Sequence, residues 1–263
     1  MSSVGAVVAC LEEFAPSNLA EHWDNVGLLV GDRSWPVERI MTCLSITPAV
    51  LAEAIQGKAQ LIVTHHPLPF HAVKTVNSDS TVGRLLLKLI AAQIAVCSPH
   101  TAFDSARVGI NQHLAIGLGL QEIAPMIPAN GSDPEVGSGR FGTLAEDLTL
   151  LQLVARVKSF LGIESLHVVG RDEQVVSRVA IACGSGGSFL AQAVELKCDG
   201  FITGETNYHT CLEAEARNLA LVLPGHFASE RFALLSLADY LTDLLPGVEV
   251  WASRTEQDPL RRL

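Results

Sequence analysis

Residues 51–66 read LAEAIQGKAQLIVTHH, and residues 190–205 read LAQAVELKCDGFITGE, 139 positions later and without a gap. Leu, Ala, Ala, Lys and Thr fall in identical columns, and Ile/Val exchanges occur twice. Each stretch has helical spacing and then a β-branched apolar run too short for a helix. Just before them, IMTCL (40–44) and VAIAC (179–183) keep the same offset and read as buried strands. A second pair follows at an offset of 126: AVCSPHTAFD (95–104) against LVLPGHFASE (221–230), which matches His100 with His226 and Asp104 with Glu230. Polar and apolar columns agree, and both pairs occur in the same order, which predicts an internal duplication. The alternative is two ordinary strand–helix–strand stretches of similar apolar composition.

Outward from these repeats, strands alternate with helices. Thr47-Pro48 supplies an N-cap and a proline at the first helical position. Helical spacing recurs at 81–92 and 111–118, and IAVC (94–97) is another strand. Trp23-Asp24-Asn25 reads as a structured turn before a strand. The window 125–143 holds three Pro and four Gly, so it is expected to be a connection with a short edge strand near Arg140–Leu144. A second series then runs helix 149–161, strands 166–169 and 179–183, a Gly-rich turn, helix 188–198, strand 201–203, helix 208–217, strand 219–223 and helix 229–244. The fold class is α/β. The expected organisation is a first half over 1–124, a connecting segment over 125–148 and a second half over 149–263.

Composition narrows the function. Of 263 residues, 18 are Lys or Arg and 28 are Asp or Glu, for a net charge of −10, which argues against binding along a phosphate backbone. Aromatic residues are 5%, too few for a stacking platform along single strands. No run of about 18 apolar residues exists, so no membrane-spanning helix is expected. The N-terminal stretch lacks a basic region before its apolar residues, and none of the six cysteines forms a C-x-x-C pair. A cytoplasmic location is the default. Only 17% of residues are charged and 48% are apolar, which suggests surface hidden between subunits.

Sites in open α/β sheets form beyond the carboxyl ends of strands. Those ends carry His65 and His66, His100 and Asp104, the turn Gly184–Gly187, Gly204 and Glu205, and His226 and Glu230. A single such histidine is readily a core residue. Two adjacent ones leave an extended chain in different directions, so they can reach two ions, or one ion and its surroundings. Both His100/Asp104 and His226/Glu230 are spaced i,i+4, one face of a helix. If the repeats meet, three or four histidines and two or three carboxylates assemble, a set whose burial without a cation would be costly. Gly184–Gly187 lacks the Lys-Ser/Thr of a phosphate-binding P-loop and reads as a tight turn, or as a helix start able to hold an anion. His22, His71, His113, His167 and His209 are expected to be structural or on the surface.

HWDNVGLLVG, VTHHPL, HTAFD, GRFGTL, FITGE and GHFASE occur in that order over nearly the whole chain. Through them the sequence resembles the GTP cyclohydrolase I type 2 homolog family, the Nif-three-like proteins. The resemblance implies two intertwined α/β halves from a duplication, with mixed sheets and a metal site between them. It implies His65, His66, Asp104, His226 and Glu230 as ligands of two divalent cations (Zn, Fe, Mn, Co or Ni), with Asp104 as the bridge. His100 and Glu205 would line the same pocket and are the catalytic candidates. It also implies a homohexamer around an internal cavity. The chain corresponds to the short form without an inserted domain, and PFHAV (69–73) replaces a shorter stretch found in many relatives, which bears on access to the pocket. Two functions follow from the resemblance: a metal-dependent hydrolase acting on a small molecule such as a nucleotide, or a non-catalytic metal-holding scaffold, interaction or metal-trafficking module.

Overall fold

The computed structural model describes residues 2–131 and 133–261. The chain forms two compact units: residues 1–103 with 233–263, and residues 104–232. The second unit is therefore inserted in the sequence of the first. Segment 125–148 lies wholly in the second unit, and Ser132 within it is outside the described residues.

The first unit holds a five-stranded sheet in the order Glu249–Ala252, Arg39–Cys43, Leu61–Thr64, Ala95–Ser98 and Gly27–Val30. The first four strands run parallel and the last is antiparallel. Every residue of Leu61–Thr64 and Ala95–Ser98 is buried, as expected for central parallel strands covered on both faces. Thr47 caps the helix Pro48–Gln56 by accepting from the Val50 amide. That helix packs Val50, Leu51 and Ala54, with Leu85, Leu86 and Leu89 of the helix Thr81–Ala91, against Met41, Ile62 and Val96 of the sheet.

The second unit holds six strands in the order His167–Val169, Ala220–Leu223, Gly200–Thr203, Val175–Ala182, Arg140–Thr149 and Leu120–Ala124. Val175–Ala182, Gly200–Thr203 and Ala220–Leu223 are parallel; the remaining pairings are antiparallel. Val179 and Ile181 face one core with Leu153 and Val157, and Ala180 and Ala182 face another with Phe201 and Leu190. The segment expected to carry a short edge strand instead carries ten strand residues, Arg140–Thr149, with a neighbour on each side. Its anchor is Arg140, which is fully buried. The guanidinium donates to the carbonyls of Gly137 (2.6 Å), Gly139 (2.7 Å) and Ala106 (2.7 Å) and to Gln112 Oε1 (2.8 Å). Burial lowers its pKa to about 10.

The duplication is written in the sheet registers. Ile40 pairs with Leu61 and Cys43 with Thr64; Val179 pairs with Gly200 and Ala182 with Thr203. These are the same pairings at the 139-residue offset. Lys58 and Lys197 follow the helices Pro48–Gln56 and Leu190–Glu195 in the left-handed region, with φ of 54° and 55°. For the next strand the offset needs correcting. Leu61 faces Ala95 and Gly200 faces Ala220, so the strands correspond at 125, and Gln93 and Asn218 repeat a left-handed turn at that spacing. Gly225 is the extra residue that restores 126 at His226.

Candidate metal centre

In the first unit, His65 and His66 leave the carboxyl end of Leu61–Thr64 while their amides donate to the carbonyls of Cys43 (3.0 Å) and Leu44 (2.8 Å). His100 opens the helix His100–Ser105 after the neighbouring strand. Adjacent parallel strand ends thus bring three imidazoles together, with one ring nitrogen of each within 4.8 Å of the others. His65 is fully buried and His100 nearly so. Ser45 Oγ lies 2.7 Å from His66 Nδ1. His100 Nδ1 lies 2.7 Å from Asp24 Oδ1, and Thr101 donates its amide (3.1 Å) and hydroxyl (2.5 Å) to Asp24 Oδ2. Burial pushes the Asp24 carboxyl up, but the bonds from His100 and Thr101 outweigh it and hold the pKa at about 2. The exposed rings of Trp23 and Phe70 stand 6.1 Å and 5.9 Å from His100.

In the second unit, His226 opens the long helix His226–Leu244, and Glu230 lies one turn further on the same face. His226 Nε2 is 3.0 Å from Glu230 Oε2, and its Nδ1 is 3.0 Å from Glu205 Oε1. The Glu230 hydrogen bond lifts the imidazole pKa; burial opposes it, Glu205 adds to it, and the result is about 9. Burial raises the Cys183 thiol well above its ordinary value, and the carboxylates of Glu230 and Asp104 raise it further, so both act on this strand end. Asn111 ties it together, donating to the Asp104 carbonyl (3.1 Å) and accepting from the Cys183 amide (2.8 Å).

The Gly184–Gly187 turn has a role that its sequence did not reveal. Gly184 sits at φ +65°, and a Cβ there would collide with the Glu230 carboxylate and stand 3.4 Å from His226 Nε2. A Cβ on Gly204 would come within 2.6 Å of the Gly184 carbonyl and 3.0 Å of His226 Cα. Ser229 locks this approach, accepting from the Gly184 amide (3.0 Å) and donating to the His226 carbonyl (2.9 Å). His113 packs edge-on against Phe160 and Phe232, and burial lowers its pKa. Asp24, Ser45, Asn111 and Ser229 were not singled out as site residues from sequence.

A duplicated mixed α/β fold with histidine and carboxylate clusters at equivalent strand ends defines the class. Residues 2–259 match the family model described as Duf34/NIF3 (NGG1p interacting factor 3), and the chain belongs to this family. It is 35% identical over 254 residues to the GTP cyclohydrolase 1 type 2 homolog of Clostridium perfringens, covering 96% of this chain and 97% of that one. It is 34% identical over 245 residues to a Helicobacter pylori protein named GTP cyclohydrolase 1 type 2, with 92% of each covered. A crystal structure of a Staphylococcus aureus hypothetical protein superposes with a TM-score of 0.89 at 27% identity, covering 99% of both chains. Among the described residues, no helix is long and apolar enough to cross a membrane.

Proposed function

We propose that the protein is a metal-dependent hydrolase of a small molecule, in which His65, His66, Asp104, His226 and Glu230 would hold two divalent cations, with Asp104 as the ligand they would share. The observation that carries this reading is the trio of ring nitrogens of His65, His66 and His100 within 4.8 Å at adjacent strand ends, of which His65 and His66 would be ligands and His100 would stand beside them. Metal–nitrogen bonds of about 2.0–2.1 Å bring nitrogens on one ion within about 4 Å of each other, so small side-chain movements suffice. The donors are imidazole nitrogens and carboxylate oxygens, a set that suits Zn, Fe, Mn, Co or Ni.

When bound, the cations would supply Lewis acidity and bring the ionisation of water toward neutral pH. The chain's own residues do the rest. Asp24 takes the Nδ1 side of His100, which leaves Nε2 to accept or deliver a proton. Glu205 holds Nδ1 of His226, which turns the other nitrogen toward a ligand position. The name of the Helicobacter pylori relative points to a purine nucleotide opened at its imidazole ring. The net charge of −10 disfavours long-range attraction of a polyanion, so the substrate class extends to other small molecules. In this reading the protein is a cytoplasmic homohexamer that admits small solutes. A second reading, a metal-holding scaffold, interaction or trafficking module, is favoured by the family's description as an interacting factor.

A substrate screen of metal-reconstituted protein beside His65→Ala tests the hydrolase reading. Turnover that His65→Ala abolishes supports it; metal binding without turnover of any small molecule favours the scaffold. Light scattering should give about six times the chain mass, and a stable monomer at micromolar concentration would refute the hexamer.

A further inference from the structure

The strand Glu249–Ala252 pairs in parallel with Arg39–Cys43, with Ala252 opposite Thr42. The next residues, Ser253-Arg254-Thr255-Glu256, therefore emerge level with Leu44 and Ser45, and the Ser253 amide donates to the Thr42 carbonyl at 2.8 Å. The other neighbour of Arg39–Cys43 is Leu61–Thr64, with Cys43 opposite Thr64, so His65 and His66 emerge at that same level. The C-terminal segment and the histidine pair flank one strand end.

The contacts across that end form a chain. Glu53 secures the segment, accepting from the Ser253 hydroxyl (2.7 Å), the Arg254 amide (2.9 Å) and the Thr255 amide (3.0 Å) and hydroxyl (2.7 Å). Glu256 then accepts from two consecutive amides, Leu44 (2.9 Å) and Ser45 (2.7 Å). Leu44 and Ser45 in turn hold His66: the Leu44 carbonyl accepts the His66 amide at 2.8 Å, and Ser45 Oγ lies 2.7 Å from His66 Nδ1.

We infer that Glu256 and Ser45 are positioning residues for a cation at His66: the carboxylate clamps the Leu44–Ser45 backbone, and the Ser45 hydroxyl engages Nδ1 so that Nε2 is presented to the ion. This rests on the proposed reading of His66 as a ligand. A hydrogen bond on one ring nitrogen fixes the tautomer and ring angle of a coordinating histidine, and loss of such a partner weakens metal binding about 10–100-fold. The segment that supplies Glu256 lies nearly 200 residues from His66 in the sequence, so no local motif contains this arrangement.

The test is a titration of metal-free protein with Co2+, read by its visible absorption bands. Ser45→Ala should weaken Co2+ binding by about 10–100-fold and shift the bands, and Ser45→Thr, which keeps the hydroxyl, should restore both. Glu256→Ala, which removes the acceptor of the Leu44 and Ser45 amides, should also weaken binding and shift the bands. The double variant should lose less than the product of the two single losses, because both residues act on the same ring. Glu256→Gln, which keeps the side-chain volume, gives the same reading where Glu256→Ala fails to fold. Wild-type bands and affinity in the Glu256 variants, or losses that multiply in the double variant, overturn the inference while leaving the metal reading intact. A wild-type chain that develops no Co2+ bands overturns the metal reading and this inference with it.

Discussion

His100 Nδ1 lies 2.7 Å from Oδ1 of Asp24, a carboxylate 76 residues earlier in the chain whose side chain is completely buried. The pair joins the turn before one strand to the helix after another. Asp24→Ala would leave the His100 ring and the Thr101 hydroxyl without this acceptor in a buried setting. The expected loss is about 2 kcal/mol, since an unsatisfied buried polar group costs about 1–3 kcal/mol. Urea unfolding measures it, and an unchanged midpoint would rule the pair out as a structural element.

Gly184→Ala should disable the second cluster without unfolding the protein. The added methyl occupies the place of the Glu230 carboxylate and forces a strained φ of +65°. Glu230 must turn away and its hydrogen bond to His226 must break. The expected outcome is a loss of metal binding much larger than the loss of thermal stability, seen by calorimetric titration beside a melting curve. Wild-type metal affinity in this variant would contradict the close approach described above.

Arg140→Lys should destabilise the protein by about 3 kcal/mol. The guanidinium fork serves carbonyls at Gly137, Gly139 and Ala106 at once, and an ammonium cannot reach them all. The measurement is the denaturant midpoint at constant slope. Metal content normalised to folded protein should stay the same, since Arg140 touches none of the proposed ligands.

Acid should release the C-terminal segment. Burial pushes the Glu53 carboxyl up, but the Arg254 amide, the Ser253 hydroxyl and Thr255 outweigh it and hold the pKa at about 2, below the ordinary 4.5. A depressed folded pKa contributes stability above pH 4.5 that disappears as the pH falls from there toward 2. Glu53→Gln should therefore be less stable than wild type at neutral pH, with the gap closing across that window. Parallel stability curves for the two proteins down to pH 2 would exclude Glu53 as the acid-sensitive latch.

Local pattern carried much of this structure. Thr47-Pro48 marks a helix start because cap chemistry is local, and LIVT reads as a strand because both its faces are buried. The pair His65-His66 stands out because polar residues rarely follow such a run directly. The full length of the strand Arg140–Thr149 was hidden for the opposite reason: Gly142 and the glycines just before the strand resemble a loop, and its place inside the sheet depends on partners at 120–124 and 175–182. The one-residue slip at Gly225 was hidden because apolar strand columns look alike in either register, and only the hydrogen-bonded pairing separates them. Asp24, Ser45 and Glu256 act across 76, 21 and more than 190 residues respectively, distances over which spacing rules have no purchase.

The insertion of residues 104–232 between the two parts of the first unit bears on how the protein is made. On a ribosome adding about 5–20 residues per second, roughly 10–40 s separate the emergence of Arg39–Cys43 from that of its partner Glu249–Ala252. During that interval one side of Arg39–Cys43 is a bare edge, its amides and carbonyls open to any other extended chain. The second unit, contiguous in sequence, can close its sheet first. Nascent chains are thus open to mispairing along the strand that ends in Leu44 and Ser45, beside the strand that carries the histidine pair.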